Sequence, residues 1–166
     1  MKAILERKSI RKYTNQPVPK EAITDLLKAA MAAPSAGNEQ PWFFIVIDDK
    51  EIMRSITQVH PYSQMLPQAQ YAIVVCGDPK LEKYKGFWVQ DCSAACENIL
   101  IAAQDMGLGS VWLGVHPIPE RTKAIQYILG LPEDIIPLSI LPIGYPAEKR
   151  ETTSRYNEGR IKYNKW

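Results

Sequence analysis

The architecture depends most on one helical segment, residues 87–106, which reads FWVQDCSAACENILIAAQDM. Its apolar side chains recur at helical spacing but cover more than a narrow stripe, which is typical of a helix at the centre of a domain. A single domain of 166 residues has difficulty enclosing such a helix on all sides, which favours a second copy of the chain as a packing partner. The apolar positions are Val89, Cys92, Ala95, Cys96, Ile99, Leu100 and Ala103.

Helices and strands alternate around this segment, and prolines and glycines mark their ends. The runs at residues 42–47 and 71–76 show no polar alternation, which predicts strands buried on both faces. Pro137 and Pro142 restrict the pairing of the last strand. The predicted helices cover residues 2–7, 19–33, 50–59, 87–106 and 119–130, and the predicted strands cover residues 42–47, 71–76, 110–115 and 136–143.

Composition bounds the class of protein. With 46% hydrophobic and 23% charged residues, the chain fits one globular domain. The net charge of +2 is too small to indicate binding to nucleic acid or to an anionic membrane. No apolar run reaches the ~18 residues of a membrane span, and charge interrupts the N-terminus at once, so a cytoplasmic location is expected. Cys92 and Cys96 would share a helix face, but neither histidine has ligand spacing to them, so the cysteines are interpreted as small buried side chains and no metal site is expected.

A basic segment near the N-terminus, residues 6–12 (ERKSIRK), holds four cations and a hydroxyl within seven residues. Guanidinium, ammonium and hydroxyl groups so close together can bind a phosphate or another compact dianion. The alternative is a solvated basic helix end, where cations are favourable in any case. A second basic group at Arg155 and Arg160 favours the anion site.

A loop of small residues, residues 33–42 (APSAGNEQPW), carries two carboxamides and is called the amide loop below. Side-chain amides offer a donor and an acceptor in one plane, which suits the edge of a planar heterocycle. Gly37 would let the backbone approach a ligand closely, although Asn38 and Gln40 could equally satisfy turn backbone. Together with the basic segment, the loop suggests a phosphorylated ligand that contains a ring.

The familiar reactive motifs are missing from the sequence. The glycines at 107, 109 and 114 follow a helix, so they form no dinucleotide fingerprint, and no Walker motif occurs. Asp91 and Glu97 point away from each other on one helix, and both histidines are best explained without a catalytic role. Side chains alone therefore supply no reactive centre, whereas an organic cofactor would.

The C-terminal tail, residues 150–166, lacks a helical pattern. Ile161 and Tyr163 alternate with polar residues, as they would in a half-buried edge strand. Pairing of this tail with a neighbouring chain would make the protein an obligate dimer.

The whole chain resembles the nitroreductase family of FMN-dependent flavoproteins in its short form. Each motif alone is only weakly specific for the family, but five such motifs in the same order along the chain are strong evidence for the resemblance. The resemblance implies an α+β fold, a three-layer sandwich with a central mixed, mostly antiparallel sheet flanked by helices. It also implies one FMN-binding domain, 1–166, whose C-terminal arm, 150–166, crosses over in an intertwined homodimer. The motifs are RKSIRKY (7–13), AAPSAGNEQPW (32–42), LGSVWLG (108–114), LPIGYP (141–146) and the tail residues 155–156 and 163–166.

The resemblance further implies tightly bound FMN as cofactor and NADH or NADPH as electron donor. No catalytic side chain is expected, because flavin N5 carries the chemistry. The implied cofactor-binding residues are Arg7, Lys8, Ser9, Arg11 and Arg155 for the phosphate and ribityl chain; Pro34, Ser35, Ala36, Asn38 and Gln40 for the loop that reaches the flavin; and Leu113 and Gly114, whose backbone faces N5.

The family's usual reaction is ping-pong transfer of hydride to a nitroaromatic, a quinone or a similar small electrophile. Substrate contacts are expected from residues 58–68 and 80–89, in a fairly open site with broad specificity. Three alternatives remain open at this point. The chain could be a relative that degrades flavin or removes halogen from aromatic rings, a non-enzymatic flavin-binding module, or a scaffold without a cofactor.

Overall fold

A computed structural model describes residues 1–166, and its elements follow the predicted order closely. Asp49 caps the third helix by accepting hydrogen bonds from the backbone N–H groups of Glu51 and Ile52. Gly130 ends the last helix in the left-handed conformation that glycine adopts without strain. The elements are α1 (Lys2–Glu6), α2 (Lys20–Met31), β1 (Trp42–Ile47), α3 (Lys50–Val59), β2 (Tyr71–Gly77), α4 (Trp88–Asp105), β3 (Leu113–Gly114), α5 (Pro119–Leu129) and β4 (Ile136–Ile143).

Four strands form one antiparallel sheet in the order β1-β2-β4-β3. β2 and β4 pair along their whole length, with an irregularity between Val75 and Cys76. On the other side of β4, regular pairing reaches only Leu113 and Gly114, and an isolated bridge follows between Gly109 and Gly144. Pro142 lies between these two contacts, where it cannot donate a hydrogen bond. The proline therefore restricts pairing as predicted.

Two hydrophobic clusters cover the two faces of the sheet, which confirms the three-layer α+β sandwich. The larger cluster joins side chains of α2 and α4 to Ile73 and Val75 of β2. The smaller cluster joins α3 and α5 to Ala72 and Val74 of the same strand. Consecutive residues of a strand point to opposite faces, so the alternation along β2 separates the two helical layers. α4 contributes eight buried residues and is central, as its sequence predicted.

Two strand predictions need correction. β1 is not buried on both faces, because it is the outermost strand of the sheet, and Phe43 and Val46 are 47% and 40% exposed. The predicted strand at 110–115 is regular only at Leu113 and Gly114. Before it, Ser110 makes a single parallel bridge with Ser9, which ties the N-terminal segment to the sheet edge.

The C-terminal tail forms no strand in the single chain. After β4 it contains one short 3₁₀ turn, Glu158–Arg160, and residues 151–166 are all exposed. A strand needs a partner edge for its backbone hydrogen bonds, and the tail meets none within its own chain. Exchange of the tail between two copies therefore stays a prediction. None of the helices is long and apolar enough to span a lipid bilayer.

Candidate functional site

A cavity of about 590 Å³ lies between α1, α4 and the beginning of the C-terminal tail. It brings Arg7 and Lys8, from one end of the chain, together with Arg155 from the other end. Three of the predicted phosphate-binding residues therefore share one cavity. The other lining residues are Ile4, Leu5, Glu97, Glu151, Thr152, Thr153, Ser154 and Tyr156.

Specific contacts hold two of the three cations of this cavity, Arg7 and Lys8, in place. Nε of Arg7 lies 3.5 Å from Oε1 of Glu97 on α4, and the side chain of Arg7 is only 16% exposed. Nζ of Lys8 donates to the carbonyl oxygen of Arg150 at 2.9 Å, which joins the N-terminal segment to the tail. The lining contains three cationic side chains and two carboxylates, those of Glu97 and Glu151, so its net charge is +1. The cavity is thus suited to an anion that can compete with Glu97 for Arg7.

The remaining residues of the basic segment have other surroundings. Ser9 is half-buried in its bridge to Ser110. The backbone N–H of Arg11 donates to Oε1 of Glu148 at 2.6 Å, while its side chain is exposed and does not line the cavity. Their assignment to the cofactor stays a prediction that the single chain does not test.

The amide loop has a strained and well-defined backbone. Asn38 and Gln40 both have positive φ, 56° and 48°, and Gly37 between Ala36 and Asn38 has φ 52°. The two carboxamides contact each other, since Nε2 of Gln40 donates to Oδ1 of Asn38 at 3.0 Å. The backbone N–H of Gln40 donates to Oγ of Ser35 at 3.1 Å. Positive φ at two non-glycine residues costs free energy, so the surrounding contacts must hold this conformation.

Two buried carboxyl groups supply those contacts. Oδ1 of Asp91, on α4, accepts the backbone N–H of Ala36 at 3.0 Å. Oε2 of Glu39 accepts the backbone N–H groups of Lys83 and Tyr84 at 2.6 and 3.2 Å. Burial raises the pKa of Asp91. Burial also opposes the ionisation of Glu39, but its backbone hydrogen bonds, the neighbouring Asp91 and the charge of Lys83 together outweigh this and hold its pKa below the usual value.

β3 presents a backbone edge with open space beside it. The carbonyl oxygen of Gly114 accepts from Nε2 of His60 at 2.9 Å and from Nη1 of Arg121 at 3.2 Å. The N–H of a strand residue points to the same side as its carbonyl, so the N–H of Gly114 also faces away from the sheet. A Cβ placed at Gly114 would meet no atom within 4 Å, whereas Leu113 is buried. The space is therefore open on the face of β3 where a side chain at residue 114 would lie.

The single chain does not unite these parts in one cavity. Ala36 contacts α4 at Asp91, and Arg7 contacts it at Glu97, six residues further on. At 100° per residue these positions lie about 120° apart around the helix. Neither the amide loop nor Gly114 lines the cavity that contains Arg7. In the single chain, the predicted cofactor-binding residues therefore lie in separate places.

Sequence reasoning missed four residues at these places. Glu39 and Asp91 are separated by 52 positions, so no local spacing could reveal their pairing. His60 lies within the segment expected to contact the substrate, but its hydrogen bond to Gly114 was not predicted, and neither was that of Arg121. His60 is fully buried, whereas Arg121 is half-buried. The three cysteines are buried, and no group of three or more His, Cys, Asp or Glu side chains is placed to hold a metal ion.

Comparison with known proteins identifies the family. The nitroreductase family model matches residues 4–60 and 57–145, which together cover most of the chain. The chain belongs to the nitroreductase family, as its motifs predicted.

Three relatives show how close the similarity is. A proposed NADH dehydrogenase/NAD(P)H nitroreductase of Archaeoglobus fulgidus is 52% identical over 100% of this chain and 98% of its own length. The structure of an FMN-dependent nitroreductase of Clostridium difficile has a TM-score of 0.92, 31% identity and full coverage of both chains. A proposed nitroreductase of Desulfovibrio desulfuricans, solved in complex with FMN, has a TM-score of 0.86, 29% identity and coverage of 99% and 96%. The similarity thus extends over whole chains.

Proposed function

We propose that the protein is an FMN-dependent oxidoreductase that passes hydride from NADH or NADPH to nitroaromatic, quinone or similar electrophilic acceptors in a ping-pong reaction. Membership of the nitroreductase family and relatives that use FMN and NAD(P)H support the cofactor and the class of enzyme. The acceptors and the order of the reaction rest on the family resemblance.

The observation that carries the proposal is the cavity lined by Arg7, Lys8 and Arg155. FMN ends in a phosphate, and two guanidinium groups and an ammonium group can neutralise it while donating directional hydrogen bonds. Threonine and serine hydroxyls of the tail line the same cavity and offer further donors. The residues present therefore fit the phosphate end of FMN.

The other parts of the site fit the flavin ring. The carboxamides of Asn38 and Gln40 offer coplanar donors and acceptors for the edge of a heterocycle. The backbone N–H of Gly114 points outward from the sheet edge and is a fixed donor, which would stabilise negative charge on a reduced ring. When bound, FMN supplies at N5 the centre that accepts and returns hydride. The chain then contributes binding, orientation and electrostatic stabilisation, and no side chain needs to act as acid or base.

The same geometry favours a homodimer. The amide loop and the cation cavity lie on different sides of α4, so one complete site would combine parts of two chains. The tail leaves its aromatic residues uncovered, with Tyr156 and Tyr163 75% and 83% exposed and Trp166 fully exposed. A second copy that packs against the tail would bury this apolar surface. We therefore include the intertwined dimer with an exchanged arm in the proposal.

The absorption spectrum of the purified protein tests the proposed function. We expect a flavin spectrum that bleaches when NADH or NADPH is added without oxygen and returns when a quinone or a nitroaromatic compound is added. A flavin spectrum that no donor and acceptor can cycle would instead support a binding module. Loss of the flavin under air would support a flavin-degrading relative, and turnover only with halogenated aromatics would support a dehalogenase. Colourless protein that cannot be reconstituted with FMN would contradict the proposal.

A further inference from the structure

Glu39 and Asp91 form a pair of neighbouring buried carboxyl groups that the proposed reaction does not use. Each carboxyl group shifts the pKa of the other, which makes them close neighbours, and the residues are 9% and 5% exposed. Two acidic side chains this close and this poorly hydrated are costly, because both would carry negative charge at neutral pH if neither kept its proton. Their position, between the amide loop and α4, calls for a physical explanation.

Each carboxyl group uses one oxygen to hold backbone. Asp91 accepts the backbone N–H of Ala36, which lies at the start of the turn that carries Asn38. Glu39, at the end of that turn, accepts the backbone N–H groups of Lys83 and Tyr84. Nζ of Lys83 also donates to the carbonyl oxygen of Gly37 at 2.8 Å. Both ends of the strained turn are therefore fixed, one to α4 and the other to the segment 82–84.

The second oxygen of each carboxyl group has no partner. Oε1 of Glu39 and Oδ2 of Asp91 are buried and accept no hydrogen bond from any donor in the chain. One proton placed between the two groups would satisfy both oxygens at once, because a protonated carboxyl group donates where an ionised one can only accept. With Asp91 neutral and Glu39 ionised, each of the four carboxyl oxygens takes part in a hydrogen bond.

The surrounding charges favour a single negative charge on the pair. Lys83 stabilises the ionised form of Glu39, while the carboxylate of Glu82 opposes a second charge at Asp91. On α4 itself, the thiol of Cys92 is the neighbouring titratable group, and burial raises its pKa, so it stays neutral. Burial raises the pKa of Asp91 and so favours the protonated form at this position.

We propose that Glu39 and Asp91 share one proton and act as positioning residues that hold the amide loop in the conformation that binds FMN. This inference rests on the proposed function. Loss of the shared proton leaves two adjacent carboxylates, which repel each other and release the turn. Binding of FMN is therefore expected to weaken at alkaline pH through a change in the loop rather than in the cofactor.

Three variants of the full-length protein separate this role from simple packing. Asp91→Asn keeps an acceptor for Ala36 and supplies a permanent donor to Glu39, so it mimics the protonated aspartate. Asp91→Ala removes both interactions. Asp105→Asn, on the exposed end of the same helix, is the matched control for charge and is expected to behave as the wild type.

The conformation of the loop can be measured directly by hydrogen exchange in flavin-free protein from pH 5 to pH 9. The informative backbone amides are those of Ala36, Lys83 and Tyr84. We expect the protection factors of the wild type to fall by about tenfold as the shared proton is lost, because the released turn frees these amides from their hydrogen bonds to the two carboxyl groups. The Asp91→Asn protein should keep its protection throughout. The same pH dependence in Asp91→Asn as in the wild type would overturn the shared proton, even if Asp91→Ala fails to fold.

FMN affinity at the two ends of this pH range connects the pair to the cofactor. The dissociation constant of the wild type should rise by about tenfold at the alkaline end, and that of Asp91→Asn should change much less. Equal pH dependence in both proteins would overturn the positioning role alone. If the wild type binds no FMN at any pH, the proposed function itself fails, whatever the exchange experiment shows.

Discussion

Replacement of Arg7 by alanine is the most informative perturbation of the cation cavity. The side chain of Arg7 is mostly buried, lines the cavity and contacts only one anionic partner, Glu97, at 3.5 Å. Removing it takes away a donor to the proposed phosphate without opening the hydrophobic core, because α1 has no buried residue. The variant should therefore bind FMN more weakly while its fold is largely unaffected.

The size of the effect follows from two opposing contributions. A hydrogen bond between a guanidinium and a phosphate contributes about 1.5–3 kcal/mol. Part of this is offset, because the phosphate must displace Glu97, whose side chain is 48% exposed and whose ion pair contributes about 0.2–1 kcal/mol. The net loss is about 1–2 kcal/mol, which corresponds to a dissociation constant about 5 to 30 times higher.

Quenching of flavin fluorescence during reconstitution of flavin-free protein measures this constant. Riboflavin, which lacks the phosphate, is the matched ligand, and Arg7→Ala should bind it as well as the wild type does. Arg54→Ala is the matched control, because Arg54 pairs with a glutamate on the surface of α3, outside the cavity. Equal FMN affinity in Arg7→Ala and the wild type, or an equal loss with riboflavin, would refute the role of Arg7.

Three further predictions concern the sheet edge, the tail and pH. Gly114→Ala should change the free energy of unfolding by less than about 0.5 kcal/mol but should weaken FMN binding. Gly109→Ala, whose Cβ would lie 2.7 Å from Ile10, should instead lower the free energy of unfolding by about 1–3 kcal/mol. Urea titrations and flavin-binding titrations distinguish the two variants, and unchanged FMN binding in Gly114→Ala would contradict the assignment of Gly114 to the flavin site. Deletion of residues 160–166 should yield monomers or insoluble chain in light scattering, and a flavin-replete dimer would contradict the exchanged arm. Burial lowers the pKa of His60 below the usual histidine value of about 6.5, so the native state binds fewer protons than the unfolded chain. Stability should therefore fall as the pH drops below about 6.5. His60→Gln should reduce that slope in urea titrations at several pH values, and an unchanged slope would exclude the contribution of His60.

Much of the fold could be predicted because local rules and tertiary packing agree along most of the chain. β4 has the predicted bounds, and α3 begins as predicted at Lys50, directly after Asp49, whose side chain caps it. The exceptions depend on position in the sheet, which the sequence does not reveal. β1 carries the apolar run of a central strand, yet it lies at the edge, where Phe43 and Val46 are exposed.

The candidate site was predicted only in part, for a related reason. Arg7, Lys8 and Arg155 were singled out because basic residues cluster visibly near both ends of the sequence, and the structure brings them to one cavity; their role in binding the cofactor stays a prediction. Glu39 and Asp91 were not found, because contact between residues 52 positions apart depends on how the amide loop packs on α4. Side-chain pairs of this kind are properties of the tertiary structure.

A crystal structure of the protein with FMN tests the central claim most directly, which is that cations from both ends of the chain bind the phosphate of the cofactor. We predict that the phosphate lies in the cavity, with its oxygens in hydrogen-bond contact with Arg7 and Arg155. FMN bound elsewhere, with both guanidinium groups directed into solvent, would contradict the account.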